Sequence, residues 1–392
     1  MPERNLDFDF CPDRKNTDSL KYDFAKRRGY PEDVLPLWVA DMDFRTSSYI
    51  EDALVDRAHH GIFGYSETQE YYAGIVAGWM KQQHDWDIDT KWILKTPGVV
   101  VAIAMAVQAF TQPDDAVLIQ QPVYYPFSEV IEDNGRRIVS SDLVMGSSGR
   151  YEIDYEDLEK KITDNGIKLF LFCNPHNPGS RVWSKEEIER LGDICLKHNV
   201  IVVSDEIHSD FTFIGKHNVF TKVKKEFENN TIVCTSPSKT FNIASLLISN
   251  IIIPNPSLRR KMRKTKAAFG LSELSAFGYE ACKAAYTDGR EWYEAVKKYI
   301  WANYEFTVDY VNSNLKGVRV VPLEGTYLVW LDFKGTGLSH EEADRRIVNE
   351  AKLWLDSGKI FGKPGEGYQR INIACPRATL EEALRRIKDI LY

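Results

Sequence analysis

The sequence predicts an α/β protein: a large domain built on a mostly parallel, doubly wound sheet, followed by a smaller α+β domain. Three observations lead there. First, six short apolar runs, WILKTPG (92–98), AVLIQQP (116–122), LFLFCNP (169–175), VIVVSDE (200–206), TIVCTSP (231–237) and SNIIIPN (249–255), each end on Gly, Pro, Asn or an acid. They show no inside–outside alternation, as strands covered by helices on both faces require. Second, amphipathic helical stretches lie between them. In SKEEIERLGDICLKHN, Ser184 and Glu187 form a capping box, and Ile188, Leu191, Ile194 and Cys195 line one face. Third, the character changes near residue 290, where a long charged helix (291–315) precedes the alternating pattern GVRVVPLEGTYLVWLDF (317–333) and a final amphipathic helix (380–392).

The expected division is an N-terminal segment, 1–45, packing on the small domain and a dimer interface; a large domain, 46–285; and a small domain, 286–392. The first forty residues are aromatic and proline-rich without periodicity, which suits a strap across a boundary better than an independent layer. A length of 392 residues with 43% hydrophobic content supports two cores.

A net charge of −7 offers no electrostatic footprint for nucleic acid or an anionic membrane. The one basic cluster, Arg259 to Lys266, reads as the solvated face of a helix. No apolar run is long enough to span a bilayer, and the polar start MPERNLDFDF lacks the pattern of a secretory signal. Six cysteines without CxxC or disulfide-framework spacing suit a reducing compartment, so a cytoplasmic protein is expected. No metal-ligand pattern appears.

Ligands of open α/β sheets bind beyond the carboxyl ends of the strands, so the residues just after each run are the candidates. Gly98-Val99-Val100 opens an apolar helix and offers free N–H groups to an anion, though an ordinary strand–helix turn reads the same way. Tyr124 can stack on a flat ring or simply pack in the core. Asn174, between a strand and Pro175, can donate to a ligand oxygen or cap its own turn. Asp205 ends an apolar strand, where a carboxylate needs a cation or donors. That partner is a ligand cation, a structural salt bridge or a helix cap. Lys239 sits in the Ser-rich turn Ser236-Pro237-Ser238-Lys239, either as a loop charge or as a desolvated amine able to form a Schiff base.

Together these strand ends supply what pyridoxal 5′-phosphate (PLP) requires: an amine for its aldehyde, a carboxylate for its ring nitrogen, a donor for its phenolic oxygen, a stacking ring and an anion cup. The motifs Trp38-Val39-Ala40-Asp41-Met42-Asp43-Phe44, Asn174-Pro175-His176-Asn177-Pro178, Ser204-Asp205-Glu206-Ile207-His208, Ser238-Lys239-Thr240-Phe241-Asn242 and Arg370-Ile371-Asn372-Ile373-Ala374-Cys375-Pro376-Arg377 carry a resemblance over essentially the whole chain. The chain resembles fold-type I PLP enzymes of the aminotransferase class I/II superfamily, with an aspartate-aminotransferase-like large domain. Within them it is most similar to the MalY/PatB-type cystathionine β-lyases, or cysteine C–S lyases.

The resemblance implies that Lys239 bears the cofactor, Asp205 meets the pyridine nitrogen, Asn174 and His208 approach the phenolic oxygen, and Tyr124 stacks on the ring. It implies that Gly98, Val99, Val100 and Ser236 hold the phosphate, with Tyr65 reaching it from a second subunit of a homodimer with shared active sites. Arg370, with Ala40 and Asn174 nearby, would bind the substrate α-carboxylate. Two departures stand out. Leu247 occupies the place of the phosphate-binding arginine of aspartate-aminotransferase-like enzymes, in agreement with the lyase branch. Ala244-Ser245-Leu246-Leu247 is bulkier than the Gly-containing segment that branch leads one to expect. The implied reaction is β-elimination from L-cysteine S-conjugates such as cystathionine, giving thiol, pyruvate and ammonia. The alternatives are an aminotransferase using a 2-oxo acid, or a PLP-fold protein that binds a regulator.

Overall fold

The computed structural model describes residues 2–391. Seven strands form the principal sheet, in the spatial order Ile93–Thr96, Ser249–Ile252, Thr231–Thr235, Ile201–Asp205, Leu169–Cys173, Ala116–Ile119, Arg137–Ser140. All run parallel except Ser249–Ile252, which is antiparallel to both neighbours. The reason is local. A parallel return needs a crossover helix, whereas the residues between Thr235 and Ser249 form a one-turn helix, Pro237–Thr240, and a 3₁₀ turn, Ala244–Leu246. The edge strand Arg137–Ser140 was not among the apolar runs, because its side chains are exposed or half-buried.

Both faces of this sheet are covered. Along Leu169–Cys173, the residues Leu169, Leu171 and Cys173 enter a core with the helix Val99–Phe110, while Phe170 and Phe172 enter a second core with Leu158, Ile188 and Leu191. Successive strand side chains point to opposite faces, so burial on both sides produces the unbroken apolar run. The expected capping box is present, with Ser184 and Glu187 closing the helix Lys185–Lys197. The basic cluster lies on the helix Pro256–Ala268, in which only Met262 is buried.

A second, antiparallel sheet has the order Arg319–Val320, Leu328–Asp332, Tyr368–Asn372, Asp356–Ser357. The helices Arg290–Asn314 and Arg377–Asp389 pack with it. The N-terminal segment is tied to this region: Leu35–Pro36 pairs in parallel with Leu353–Trp354, and the Asp43 N–H donates to the Ala374 carbonyl at 2.9 Å. Tyr30, Trp354 and Trp38 stack with ring centroids 4.2 and 4.4 Å apart. All six cysteines are free, and among the described residues no helix is long and apolar enough to cross a membrane.

Candidate active site

A cavity of about 300 Å3 lies at the carboxyl ends of the parallel strands, lined among others by Ala40, Gly98, Val99, Val100, Tyr124, Asn177, Asp205, His208, Ser238 and Lys239. Chain direction explains the gathering. Asp205 is the last residue of its strand, Gly98 caps the helix Val99–Phe110 just beyond Thr96, and Lys239 stands in the one-turn helix after Thr235. The antiparallel strand begins at this same end, with Ser249 opposite Thr96, and so brings Leu247 and Ile248 into the wall.

Asp205 is the decisive group. Its carboxylate is buried, accepts from the Ile207 N–H at 3.1 Å, and has no ion-pair partner among the described residues. Burial pushes its pKa up to about 7, opposed by that N–H bond and by Lys239. A buried acid is stable in its charged form only beside a cation, and a protonated ring nitrogen supplies one. Burial also lowers the Lys239 amine to about 8, against the pull of Asp41. Lys239 Nζ donates to the Ala40 carbonyl at 2.7 Å, which also accepts from Tyr327 Oη at 3.0 Å. His208 is held neutral by burial and by the neighbouring cations Lys239 and Arg370, and its Nδ1 has no partner.

Arg370 projects from the Tyr368–Asn372 strand. It donates to Asn177 Oδ1 at 2.9 Å and to the Trp38 carbonyl at 2.7 Å, and pairs with buried Asp356, while its Nε is unpartnered. The orphaned nitrogens of His208 and Arg370, the uncompensated Asp205 and the desolvated Lys239 fit a planar cationic ring bearing an aldehyde and acid groups. A larger hollow of about 580 Å3, lined by His84, Asp210 and His217, fits less well. Two of its side chains are already engaged, His84 with Asp210 at 3.0 Å and His217 with Glu206 at 2.6 Å.

Four expected residues do not line the cavity. Asn174, expected at the phenolic oxygen and the substrate carboxylate, donates to the Asn218 carbonyl at 3.0 Å instead. Asn177, three residues on in the same repeated Asn-Pro turn, lines the cavity and holds Arg370; the pair of Asn-Pro signals contained it, but only the turn geometry selects it. Ser236 serves as the cap of the one-turn helix, accepting from the Ser238 N–H at 3.0 Å and donating to the Ile248 carbonyl at 2.7 Å, and Ser238 takes its place in the wall. Arg370 sits behind Asn177, and Tyr65 is 99% exposed, outside this chain's cavity. Tyr327 was missed because its strand lies far along the chain. Of the bulkier segment, Ala244 and Leu247 line the cavity, Leu247 in a left-handed conformation, while Ser245 is exposed.

A model of the aminotransferase class I and II family matches residues 32–387. The chain belongs to that family. Among its relatives, the cystathionine β-lyase PatB of Bacillus subtilis is 43% identical over 98% of this chain and 100% of its own length. The protein MalY of Escherichia coli is 31% identical over 97% of both chains. Among solved structures, cystalysin from Treponema denticola, which contains a pyridoxal 5′-phosphate cofactor, superposes with a TM-score of 0.94 at 39% identity and 98% coverage of both chains. A PLP-bound C–S lyase from Staphylococcus hominis gives 0.90 at 32% identity, again covering 98% of each chain. These family members share the α/β architecture described above.

Proposed function

We propose that this chain is a PLP-dependent cysteine-S-conjugate β-lyase, cleaving substrates such as cystathionine to thiol, pyruvate and ammonia. The observation that carries the reading is a buried, unpaired Asp205 and a desolvated Lys239 sharing one cavity, in a chain 43% identical to a cystathionine β-lyase. When bound, PLP supplies an electron sink for negative charge at the substrate Cα.

The chain's own residues do the rest. The low pKa of Lys239 leaves part of its amine neutral near pH 7, able to take the Cα proton, and the Ala40 carbonyl orients Nζ. Asp205 would hold a proton on the ring nitrogen by a charge-assisted hydrogen bond. Tyr124 would pack against the ring, and His208 and Asn177, which line the same cavity, would hold its phenolic oxygen. Gly98, Val99 and Val100 present N–H groups and the positive end of a twelve-residue helix to the phosphate. Arg370, held against Asn177 of the cavity wall, would bind the α-carboxylate from behind that residue. Lys239, once protonated, gives its proton to the departing thiolate.

Two copies are inferred to share their sites. Ile62, Phe63, Tyr65 and Tyr71 are exposed together, an apolar surface that calls for a cover, and Tyr65 would reach the phosphate of the second copy. Residues 46–285 would carry the cofactor and 286–392 the Arg370 clamp, with 1–45 bridging them. Incubation with cystathionine and no 2-oxo acid tests the activity. Sustained pyruvate release is expected, and a single turnover that resumes only when a 2-oxo acid is added would establish transamination instead.

A further inference from the structure

The N-terminal segment carries an ion cluster that the reaction scheme leaves unused. Lys21 is fully buried, with Nζ 2.7 Å from Asp43 Oδ2 and 3.5 Å from Asp41 Oδ1. Arg14 reaches the same two carboxylates, each at 2.7 Å, and also donates to the Met42 carbonyl at 3.3 Å and Ser19 Oγ at 3.2 Å. Two cations and two anions make the group neutral. A lysine buried this deeply is tolerable only when paired, so the 41–43 turn and the 14–21 segment hold each other in place.

That turn is the one that touches the reactive amine. Ala40, next to Asp41, accepts from Lys239 Nζ at 2.7 Å, and the Trp38 carbonyl accepts from Arg370 at 2.7 Å. Asn242 grips the turn from the lysine's own segment, accepting from the Met42 N–H at 2.9 Å and donating to the Met42 and Phe44 carbonyls. Asn372, two residues beyond Arg370, donates to the Val39 and Asp41 carbonyls at 2.7 and 2.6 Å. The turn is therefore clamped from three directions; Lys239 and Arg370 meet its carbonyls, and Arg14 and Lys21 pair with its two carboxylates.

We infer that Arg14 and Lys21 are positioning residues for Lys239: they fix the Ala40 carbonyl against Nζ and compensate the Asp41 charge that faces it. This rests on the reading of Lys239 as the cofactor-bearing amine. The ionisable groups facing that amine are Asp41 and Asp205, which favour its charged form, and Arg370, which opposes it, with His208 and Tyr327 nearby. Those facing Asp41 are Arg14 and Lys21, which with Lys239 keep it ionised against its burial.

Opposite shifts in one titration test the assignment. In the holoenzyme, the pH midpoint of the cofactor's absorbance reports protonation at the Lys239 nitrogen. Arg14→Gln leaves Asp41 less compensated and is expected to raise the midpoint by roughly half a unit or more, the scale of one screened charge nearby. Asp41→Asn is expected to lower it by a similar amount, and Arg14→Lys to bring it back toward the parent value. If R14Q proves too unstable to titrate, the near-isosteric D41N decides alone. Equal midpoints in parent and variants, or shifts of the same sign in R14Q and D41N, would overturn the inference. Borohydride reduction and peptide mass analysis run alongside: an unlabelled Lys239 peptide overturns the cofactor assignment itself, whereas a labelled peptide with an unmoved midpoint overturns only the role of Arg14 and Lys21.

Discussion

Asp205 and Lys239 depart from ordinary behaviour for the same reason: each is a charged group enclosed before its partner arrives. Lys239→Ala is expected to lower pyruvate release by at least about 10³-fold, since it removes both the cofactor's anchor and the base; initial rates with cystathionine check this. The acid makes a second, thermodynamic prediction. Its folded pKa of about 7 exceeds the ordinary 3.8, so between those values the folded cofactor-free protein binds more protons than the unfolded chain. Stability contributed by the protonated acid is therefore complete at low pH and lost as pH rises toward 7, with a slope of at most about 1.4 kcal/mol per pH unit from this group. Buried Asp356, pushed up to about 6, adds in the same direction. Urea denaturation of cofactor-free protein against pH should show the decline, and Asp205→Asn should flatten much of it. Asn174 shows where residue-level reading stops: the chain presents two Asn-Pro pairs, and the side chain bound to Asn218 is indistinguishable in sequence from the one that faces the cavity.

The same segment that displays Lys239 determines the one antiparallel strand of the principal sheet, because a turn that must hold an amine at the strand tip is too short to hold a crossover helix. The helices answer to a simpler rule. Ser184 and Glu187 start the helix Lys185–Lys197, whose Ile188, Leu191 and Cys195 pack beneath the sheet. Glu187 also pairs with Arg181, which reaches Glu324 at 2.8 Å beside the second sheet. Ser184→Ala is expected to cost about 1 kcal/mol of stability while leaving the rate with cystathionine unchanged, since the helix lies away from the cavity lining; a denaturation midpoint measured beside the initial rate checks both halves. Five of the six apolar runs were legible because burial on both faces removes alternation, whereas Ile93–Thr96, at the sheet's edge, keeps a half-buried face. Arg137–Ser140, half in solvent, left no such mark.

At the scale of the molecule, the cavity is assembled from Ala40 of the N-terminal segment and the carboxyl ends of the large sheet, with Arg370 of the second sheet bonded to Asn177 behind its wall. A second copy completes it if Tyr65 acts in trans. Mixing Lys239→Ala with Tyr65→Ala subunits then tests the sharing: heterodimers own one intact site, so statistical exchange should restore about a quarter of the parental sites in a symmetric dimer. No recovery, in a mixture shown by mass to contain heterodimers, would overturn the action of Tyr65 in trans, and parental activity of unmixed Tyr65→Ala would place Tyr65 outside the site. By itself the sequence determined the layer architecture, the strand tips, and the amine and the acid at two of them, because hydrophobic period and the cost of a charge at the end of an apolar strand are local properties. The choice of Asn177 over Asn174, the capping role of Ser236, the contact of Tyr327 with Ala40 and the Arg14–Lys21 clamp belong to the tertiary structure alone. Each depends on which distant groups burial brings within hydrogen-bond reach, and side-chain spacing along the chain carries no record of that.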